Sequence, residues 1–209
     1  MVEKSVSIFL DELSSSSATP GGGSAAALMG AMGAALVSMV GNLTKGKKKY
    51  ESVEKEVLSV LSNSEQLRTE LYRAIKKDVE AFDSVMEAYG LPKNNDAQKL
   101  ERSLKIQDAL KVAMDAPLEC ATLASKVIPL CRKIAEIGNV NIISDAGVAV
   151  LAARAAFKSA ELNVYVNASG LKDKVFADKK IEEIRELSKI VEREERETFN
   201  YVAKVILKS

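Results

Sequence analysis

Apolar residues return every three or four positions along almost the whole chain, so the pattern predicts helices and little else. Residues 6–13 read as a short amphipathic helix. Residues 24–43 depart from that pattern, being Ala, Gly, Val, Leu and Met on nearly every side. A run of about 20 such residues has the length of a membrane span. It is weakly hydrophobic for a span and stands alone, and Ala26, Gly30, Ala34 and Ser38 form a small-residue stripe at i, i+4 spacing that lets another helix pack very close. A buried central helix is therefore expected, and no membrane.

Residues 51–89 keep helical periodicity with no internal Gly or Pro, and Leu71, Ile75, Asp78, Phe82, Val85 and Tyr89 share one stripe. Gly90, Leu91 and Pro92 end that helix. Residues 96–137 are helical in pattern, but Pro117 and Pro129 must kink or split them, and Gly138 stops them. Ser144 is placed to cap a further helix through Ala160, residues 163–170 read as an irregular link, and residues 178–207 form a long amphipathic closing helix. Its apolar side carries Ile181, Ile184, Leu187, Val191, Val202 and Val205.

Only residues 163–166 could pass for strand, and nothing is arranged to pair with them, so the expected fold is all-α, a multihelical bundle with long helices. The whole chain, residues 1–209, is read as one domain. Helices of about 30 to 40 residues run about 45 to 60 Å, more than the width of a compact domain of this size. They kink, or pack partly against another subunit, and a homodimer is the simplest cover for the excess apolar surface.

Thirty basic residues against 29 acidic ones give a net charge of +1, so no global field draws the chain to nucleic acid or membrane. There is no histidine, which with two separated cysteines makes a zinc site improbable and excludes any Ser-His or Cys-His catalytic pair. Cys120 and Cys131 fall in one predicted helix, about 16 Å apart along its axis and too far for a disulfide. A reducing cytoplasm is the expected compartment, and no secretory signal is expected at the amino terminus.

The segment ATPGGGSAAAL, residues 18–28, sets Pro20, Gly21, Gly22, Gly23 and Ser24 directly before the apolar helix. Glycines let a ligand approach the main chain closely, Ser24 can cap the helix, and the helix N-terminus favours a carboxylate or phosphate. Plain turn punctuation is the competing explanation. No Gly-Lys-Ser/Thr closes a P-loop and no strand precedes a dinucleotide fingerprint, so nucleotide binding is disfavoured.

Three further groups carry candidate chemistry. Asp78 sits on the apolar stripe beside Ile75 and Phe82, where burial raises a carboxyl pKa and a cation lowers it; a structural ion pair is the alternative. In GNVNIISDAG, residues 138–147, Asn139, Asn141, Ser144 and Asp145 gather at a helix entrance, and Asn163 and Asn167 add two more amides able to read a heterocycle edge. Turn chemistry explains asparagines there equally well. In NLTKGKKKY, residues 42–50, Asn42 leads into Lys45, Lys47, Lys48 and Lys49, with Tyr50 available for stacking. Lysines at a helix carboxyl end complement the dipole; as a site they suit an anion, and the run is too short and local for nucleic acid.

The order of residues 19–50, then KKDVEAFDSVMEAYGLPK at 76–93, GNVNIISDAGVAVLAA at 138–153 and NVYVN at 163–167 resembles the formiminotetrahydrofolate cyclodeaminase and methenyltetrahydrofolate cyclohydrolase family. The resemblance implies an all-helical, intertwined homodimer acting on a one-carbon folate as its small-molecule substrate, with no metal and no cofactor. It implies that the lysine loop suits the glutamate tail, that the asparagines suit the pterin edge, and that the glycine turn and Phe82 complete the binding set. Asp78 and Asp145 are the candidate acid–base carboxylates, a role that contributes roughly 10²–10⁴-fold. The implied reaction is hydrolysis of 5,10-methenyltetrahydrofolate to 10-formyltetrahydrofolate. The alternatives are a cyclodeaminase releasing ammonia from 5-formiminotetrahydrofolate, often fused to a formiminotransferase for which 209 residues leave no room, and a non-catalytic folate-binding helical dimer.

Overall fold

The computed structural model describes residues 5–208, so residues 1–4 and 209 of the expected single domain lie outside the described residues. Among the described residues it is all helical. Helix α1 spans Val6–Leu13, as its amphipathic pattern predicts, with the Ser5 hydroxyl accepting from the Ile8 N–H. Helix α2 spans Gly22–Asn42 and α3 spans Glu54–Gly90, the two joined through the lysine loop and a 3₁₀ turn at Lys48–Val53. The 37 residues of α3 make it the long helix anticipated from its uninterrupted periodicity, about 55 Å at 1.5 Å per residue.

The stretch that contains both prolines divides into α4, Asp96–Ala113, and α5, Asp115–Ile137. The division falls at Pro117. A proline has no N–H for the carbonyl four residues back, which here is Ala113 O, the last residue of α4. Pro129 stays inside an unbroken α5, and it is exposed, so the Ser125 carbonyl it frees can turn to water.

After Gly138 and a 3₁₀ turn at Val140–Ile142 comes α6, Ile143–Ser169, and the chain closes with α7, Lys174–Ile206. Two expectations are corrected here. Ser144 does not cap α6: Ile142 holds the cap position without a side-chain bond, and Ser144 lies exposed in the first turn. Residues 163–169 are not an irregular link but the last turns of α6, because Val164 and Ala168 are buried there and the asparagine amides find carbonyl partners instead of breaking the helix. Helix α7 begins four residues before the expected start, with Asp173 accepting from the Phe176 N–H.

Helices α2 and α6 form the middle of the bundle, with α3 and α5 flanking them, α7 over α5 and α6, and α4 against α3. They run antiparallel, since Gly22 faces Asn163, Gly30 faces Ala156 and Gly33 faces Ala149 and Ala153. The small-residue stripe does what its spacing predicts: Ala26, Gly30, Ala34 and Ser38 are all buried. A Cβ at Gly33 would stand 3.0 Å from Ala149 O and 3.2 Å from Ala153 N, both main-chain atoms. Ser38 and Ser64 share a buried hydrogen bond of 2.8 Å between α2 and α3. By length and composition, Gly22–Asn42 and Val140–Ser169 would each be able to cross a membrane, and about half of each stretch is buried inside the bundle.

Gly33→Val is expected to destabilise the protein by about 1–3 kcal/mol, because backbone faces it and cannot move aside. Gly90→Ala, with nothing within 4 Å of the added carbon, is the control and is expected not to. Thermal unfolding followed by circular dichroism checks both.

Candidate active site

A cavity of about 490 Å³ opens where the glycine turn, the last third of α3, the α4–α5 break and the last turns of α6 meet. Thr19, Gly21, Gly22, Gly23, Asp78, Phe82, Asn163 and Asn167 all line it. The structure thus brings together the glycine turn, the stripe carboxylate and the second asparagine pair, which lie far apart in sequence. Pro20 is buried behind the turn and does not line the cavity.

Asp78 is the centre of this arrangement. Its Oδ2 accepts from the Ser24 hydroxyl at 2.8 Å. Ser24 is fully buried and does not cap α2, as its position in sequence suggested; Gly21 holds the cap position with no side-chain bond, and the serine reaches α3 instead. A Cβ at Gly23 would fall 1.9 Å from Asp78 Oδ1, so any larger residue there displaces the Asp78 carboxylate from its place beside Ser24. Helix α2 has no acidic residue in its own first turn, and the Asp78 carboxylate stands where its N-terminus favours an anion.

The carboxyl pKa of Asp78 is raised, first by burial, against which the hydroxyl and backbone N–H of Ser24 pull it down. No lysine or arginine pairs with it among the described residues, which removes the structural ion pair as its explanation; the neighbouring Lys77 instead bonds Glu119 at 2.7 Å. Among the described residues, Asp78 is also the one formally charged residue lining the cavity. Burial, with Asp78 and Glu119 adding to it, pushes the Cys120 thiol up to about 12, so it is no thiolate nucleophile. Both cysteines are free and buried.

The two asparagines are held by their NH₂ groups. Asn163 Nδ2 donates to Ser159 O at 2.9 Å, and Asn167 Nδ2 donates to Ala113 O at 3.0 Å, the carbonyl that Pro117 leaves without a helical partner. Because carbonyls can only accept, the amide orientation is unambiguous, and each side chain keeps its Oδ1 as an acceptor. Pro117 itself lines the cavity, as do Met86 and Val166, none of which was singled out as a site residue from the sequence. A proline four residues after a candidate carbonyl was the available signal for the first. Nothing marked the other two.

The remaining candidates do not join this cavity. Asn139 N donates to Thr44 Oγ1 at 2.8 Å, its Nδ2 donates to Leu43 O at 3.2 Å, and its Oδ1 accepts from the Asn141 N–H. The Val140 N–H donates to the Tyr50 hydroxyl at 3.2 Å. Asn139 and Tyr50 therefore fasten the lysine loop to the entrance of α6, and Lys45, Lys47 and Lys48 project into solvent around them. Asn42, Asn141, Ser144 and Asp145 lie at this same end. The 21 residues of α2 separate it from the cavity by about 30 Å. Asp78 and Asp145, the two candidate acid–base carboxylates, lie at opposite ends of one chain because the antiparallel α2 and α6 carry the two motifs apart. Among the described residues no group of three or more Asp, Glu, Cys or His side chains is placed to hold a metal ion.

A family model described as formiminotransferase-cyclodeaminase matches residues 5–186. The methenyltetrahydrofolate cyclohydrolase of Methylorubrum extorquens is 58% identical over 184 residues, 88% of each chain. The formimidoyltransferase-cyclodeaminase of Mus musculus is 32% identical over 179 residues, 86% of this chain but 33% of its own length. The crystal structure of formiminotetrahydrofolate cyclodeaminase from Thermotoga maritima matches with a TM-score of 0.80 at 32% identity, covering 97% of this chain and 96% of that one.

Ser24→Ala is expected to raise the Asp78 carboxyl pKa further, since it removes a donor that holds the value down. Gly22→Ala, whose added carbon would stand an ordinary 4.0 Å from Asn163 Nδ2, is expected to leave it unchanged. A carbon NMR titration of the Asp78 carboxyl reads both.

Proposed function

The chain belongs to the formiminotransferase-cyclodeaminase family, and from that premise we propose that it is a methenyltetrahydrofolate cyclohydrolase, converting 5,10-methenyltetrahydrofolate and water to 10-formyltetrahydrofolate. The identity of 58% to a protein of that name, against 32% to relatives named for the deaminase, supports this activity over the alternative. The observation that carries it is a partly buried carboxylate, Asp78, held by a serine and unpaired with any cation among the described residues, in a cavity large enough for a flat heterocycle.

That carboxylate suits the substrate's chemistry. The bridging carbon between N5 and N10 belongs to an amidinium cation, and Asp78 supplies the opposite charge from a partly buried position. Water attacks this carbon as Asp78 accepts one of its protons. The adduct's remaining hydroxyl proton passes to N5 as the bond from carbon to N5 breaks, leaving the formyl group on N10. The proton on Asp78 is released to solvent, so one proton leaves per turnover. The electrophile is already activated, and the scheme uses neither metal nor cofactor. The Oδ1 acceptors of Asn163 and Asn167 suit the N–H edge of the pterin, and Phe82 offers it a ring face.

The deaminase reading rests on the similarity to the Thermotoga maritima protein along nearly the whole chain. There N10 attacks the formimino carbon and ammonia departs, and Asp78, with its raised pKa, would be the proton donor. Around either activity we place a homodimer in a reducing cytoplasm, not embedded in membrane and not bound to nucleic acid. Free, buried cysteines and a balanced charge support this setting.

Purified protein is expected to accelerate the loss of methenyltetrahydrofolate absorbance without releasing ammonia from 5-formiminotetrahydrofolate; the reverse outcome establishes the deaminase, and silence in both a binding role. Asp78→Asn is expected to lower kcat about 10²–10⁴-fold. The raised carboxyl pKa means that the stability Asp78 contributes is present below its ordinary value and lost as pH rises through the raised one. At pH 7 the Asn variant is therefore expected to melt no lower than wild type, with any advantage gone below about pH 4. A lower melting temperature at pH 7 with unchanged turnover would reverse the assignment.

A further inference from the structure

Two cations stand at the rim of the cavity, both held by α4. Arg102 donates from Nε and Nη2 to Tyr89 O, at 3.1 and 2.9 Å, and its guanidinium carbon lies 5.5 Å from the centre of the Tyr89 ring, which lines the cavity. Lys172 donates from Nζ to the hydroxyl of Ser103, the residue after Arg102, at 2.6 Å. The Lys172 N–H donates to Gln107 Oε1, and Gln107 Nε2 donates to the carbonyl of Gly170, which also lines the cavity. Neither cation makes an ion pair among the described residues, whereas Lys77, Lys99 and Lys111 around them are each spent on a carboxylate. The Arg102 bonds use two of the five N–H groups of a guanidinium and leave its Nη1 edge open. An apolar row leads to it from the carboxylate. Phe82, Met86 and Tyr89 follow Asp78 at helical spacing along α3, and all three line the cavity while 38%, 49% and 45% exposed. From Asp78 to Tyr89 the row runs about 16 Å at 1.5 Å per residue.

We propose that the aminobenzoyl ring of the substrate lies along the row of Phe82, Met86 and Tyr89, and that Arg102, with Lys172 beside it, binds the carboxylates of the first glutamate. The inference rests on the folate reading, which puts the amidinium carbon at Asp78. From that carbon the ligand extends through the ring to the glutamate, whose carboxylates lie about 10–13 Å away at about 1.4–1.5 Å per bond. The Asp78 side chain takes up the rest of the 16 Å. The order of charges matches as well: the ligand is cationic at its reacting carbon and anionic at its tail, and the site is anionic at Asp78 and cationic at Arg102. A guanidinium fixed by a main-chain carbonyl is already oriented, so its open edge is available to a carboxylate at little entropic cost. The competing explanation is that Arg102 simply satisfies the carboxyl end of α3, where a cation is favoured. That explanation covers neither Lys172 nor an exposed apolar row running from a carboxylate to a guanidinium.

Arg102→Gln tests this, since glutamine keeps a donor for Tyr89 O and removes the charge, and Arg102→Lys keeps the charge. With methenyltetrahydrofolate, Arg102→Gln is expected to raise KM about tenfold while kcat stays within about twofold of wild type, Lys172→Met to raise KM about threefold, and Arg102→Lys to restore part of the Arg102→Gln loss. Converting the two glutamate carboxylates of the substrate to methyl esters separates binding from packing. Wild type is expected to lose about tenfold in kcat/KM on going from acid to ester, and Arg102→Gln to treat acid and ester alike. An ester penalty undiminished in Arg102→Gln overturns the proposal, as does a fall in kcat with KM unchanged. A second readout needs no turnover: by calorimetry at low salt, wild type is expected to bind p-aminobenzoylglutamate at least about fivefold more tightly than Arg102→Gln. Equal affinities, or no binding by wild type at millimolar ligand, overturn the subsite. Binding that depends on Arg102 in a protein that turns over no folate keeps the subsite and rejects the cyclohydrolase reading.

Discussion

The absence of side chains at four places along α2 is the constraint on which this structure rests. Gly30 lets Leu71 of α3 and Ala156 of α6 approach together, Gly33 lets α6 main chain come within contact, and Gly41 accepts Leu61. Gly23 does the same for a polar group, admitting Asp78 where a Cβ would overlap its carboxylate. One steric property therefore packs the core and sets the site. The helix that forms the centre of the bundle also presents its N-terminus to the carboxylate of its neighbour.

That carboxylate is held between opposing effects. Burial favours its neutral form, while the Ser24 hydroxyl, the Ser24 N–H and the positive end of α2 favour the charged one. The net shift is upward, which makes Asp78 a better proton acceptor than a solvated carboxylate while hydrogen bonds keep it oriented. A lysine or arginine partner would have stabilised the fold more simply and neutralised the charge that a cationic substrate needs. The chain instead gives the adjacent lysine, Lys77, to Glu119.

A second link between fold and site runs through Pro117. By leaving Ala113 O without a helical donor, it divides α4 from α5 and creates an acceptor at the cavity wall. Asn167 takes that acceptor with its NH₂ group, which satisfies a main-chain carbonyl and fixes the side chain's orientation together. The same bond explains why an asparagine-bearing segment with turn-like composition continues as helix to Ser169. Local preference is overridden because each amide finds a partner and the alternate residues are buried.

Periodicity determined most of the architecture. The all-helical class, the bounds of α1, the buried central helix with its small-residue stripe, the uninterrupted α3 and the break near Pro117 follow from 3.6-residue spacing and from what Gly and Pro do to a backbone, which are local properties. Asp78, the glycine turn, Asn163 and Asn167 were legible as chemically unusual residues for the same reason. Which of them meet was decided only by tertiary structure. Ser24 reads as a cap and serves as the donor to a residue 54 positions away, because the approach of α3 offers it a carboxylate that no local rule contains. Asn139 and Tyr50, candidate ligand contacts in the sequence, bond the lysine loop to the entrance of α6, a link between segments about 90 residues apart. Asp145 and the lysines, separate candidates in the sequence, stand at the other end from Asp78, since antiparallel packing of α2 and α6 depends on which faces fit, and sequence spacing carries no record of direction in space.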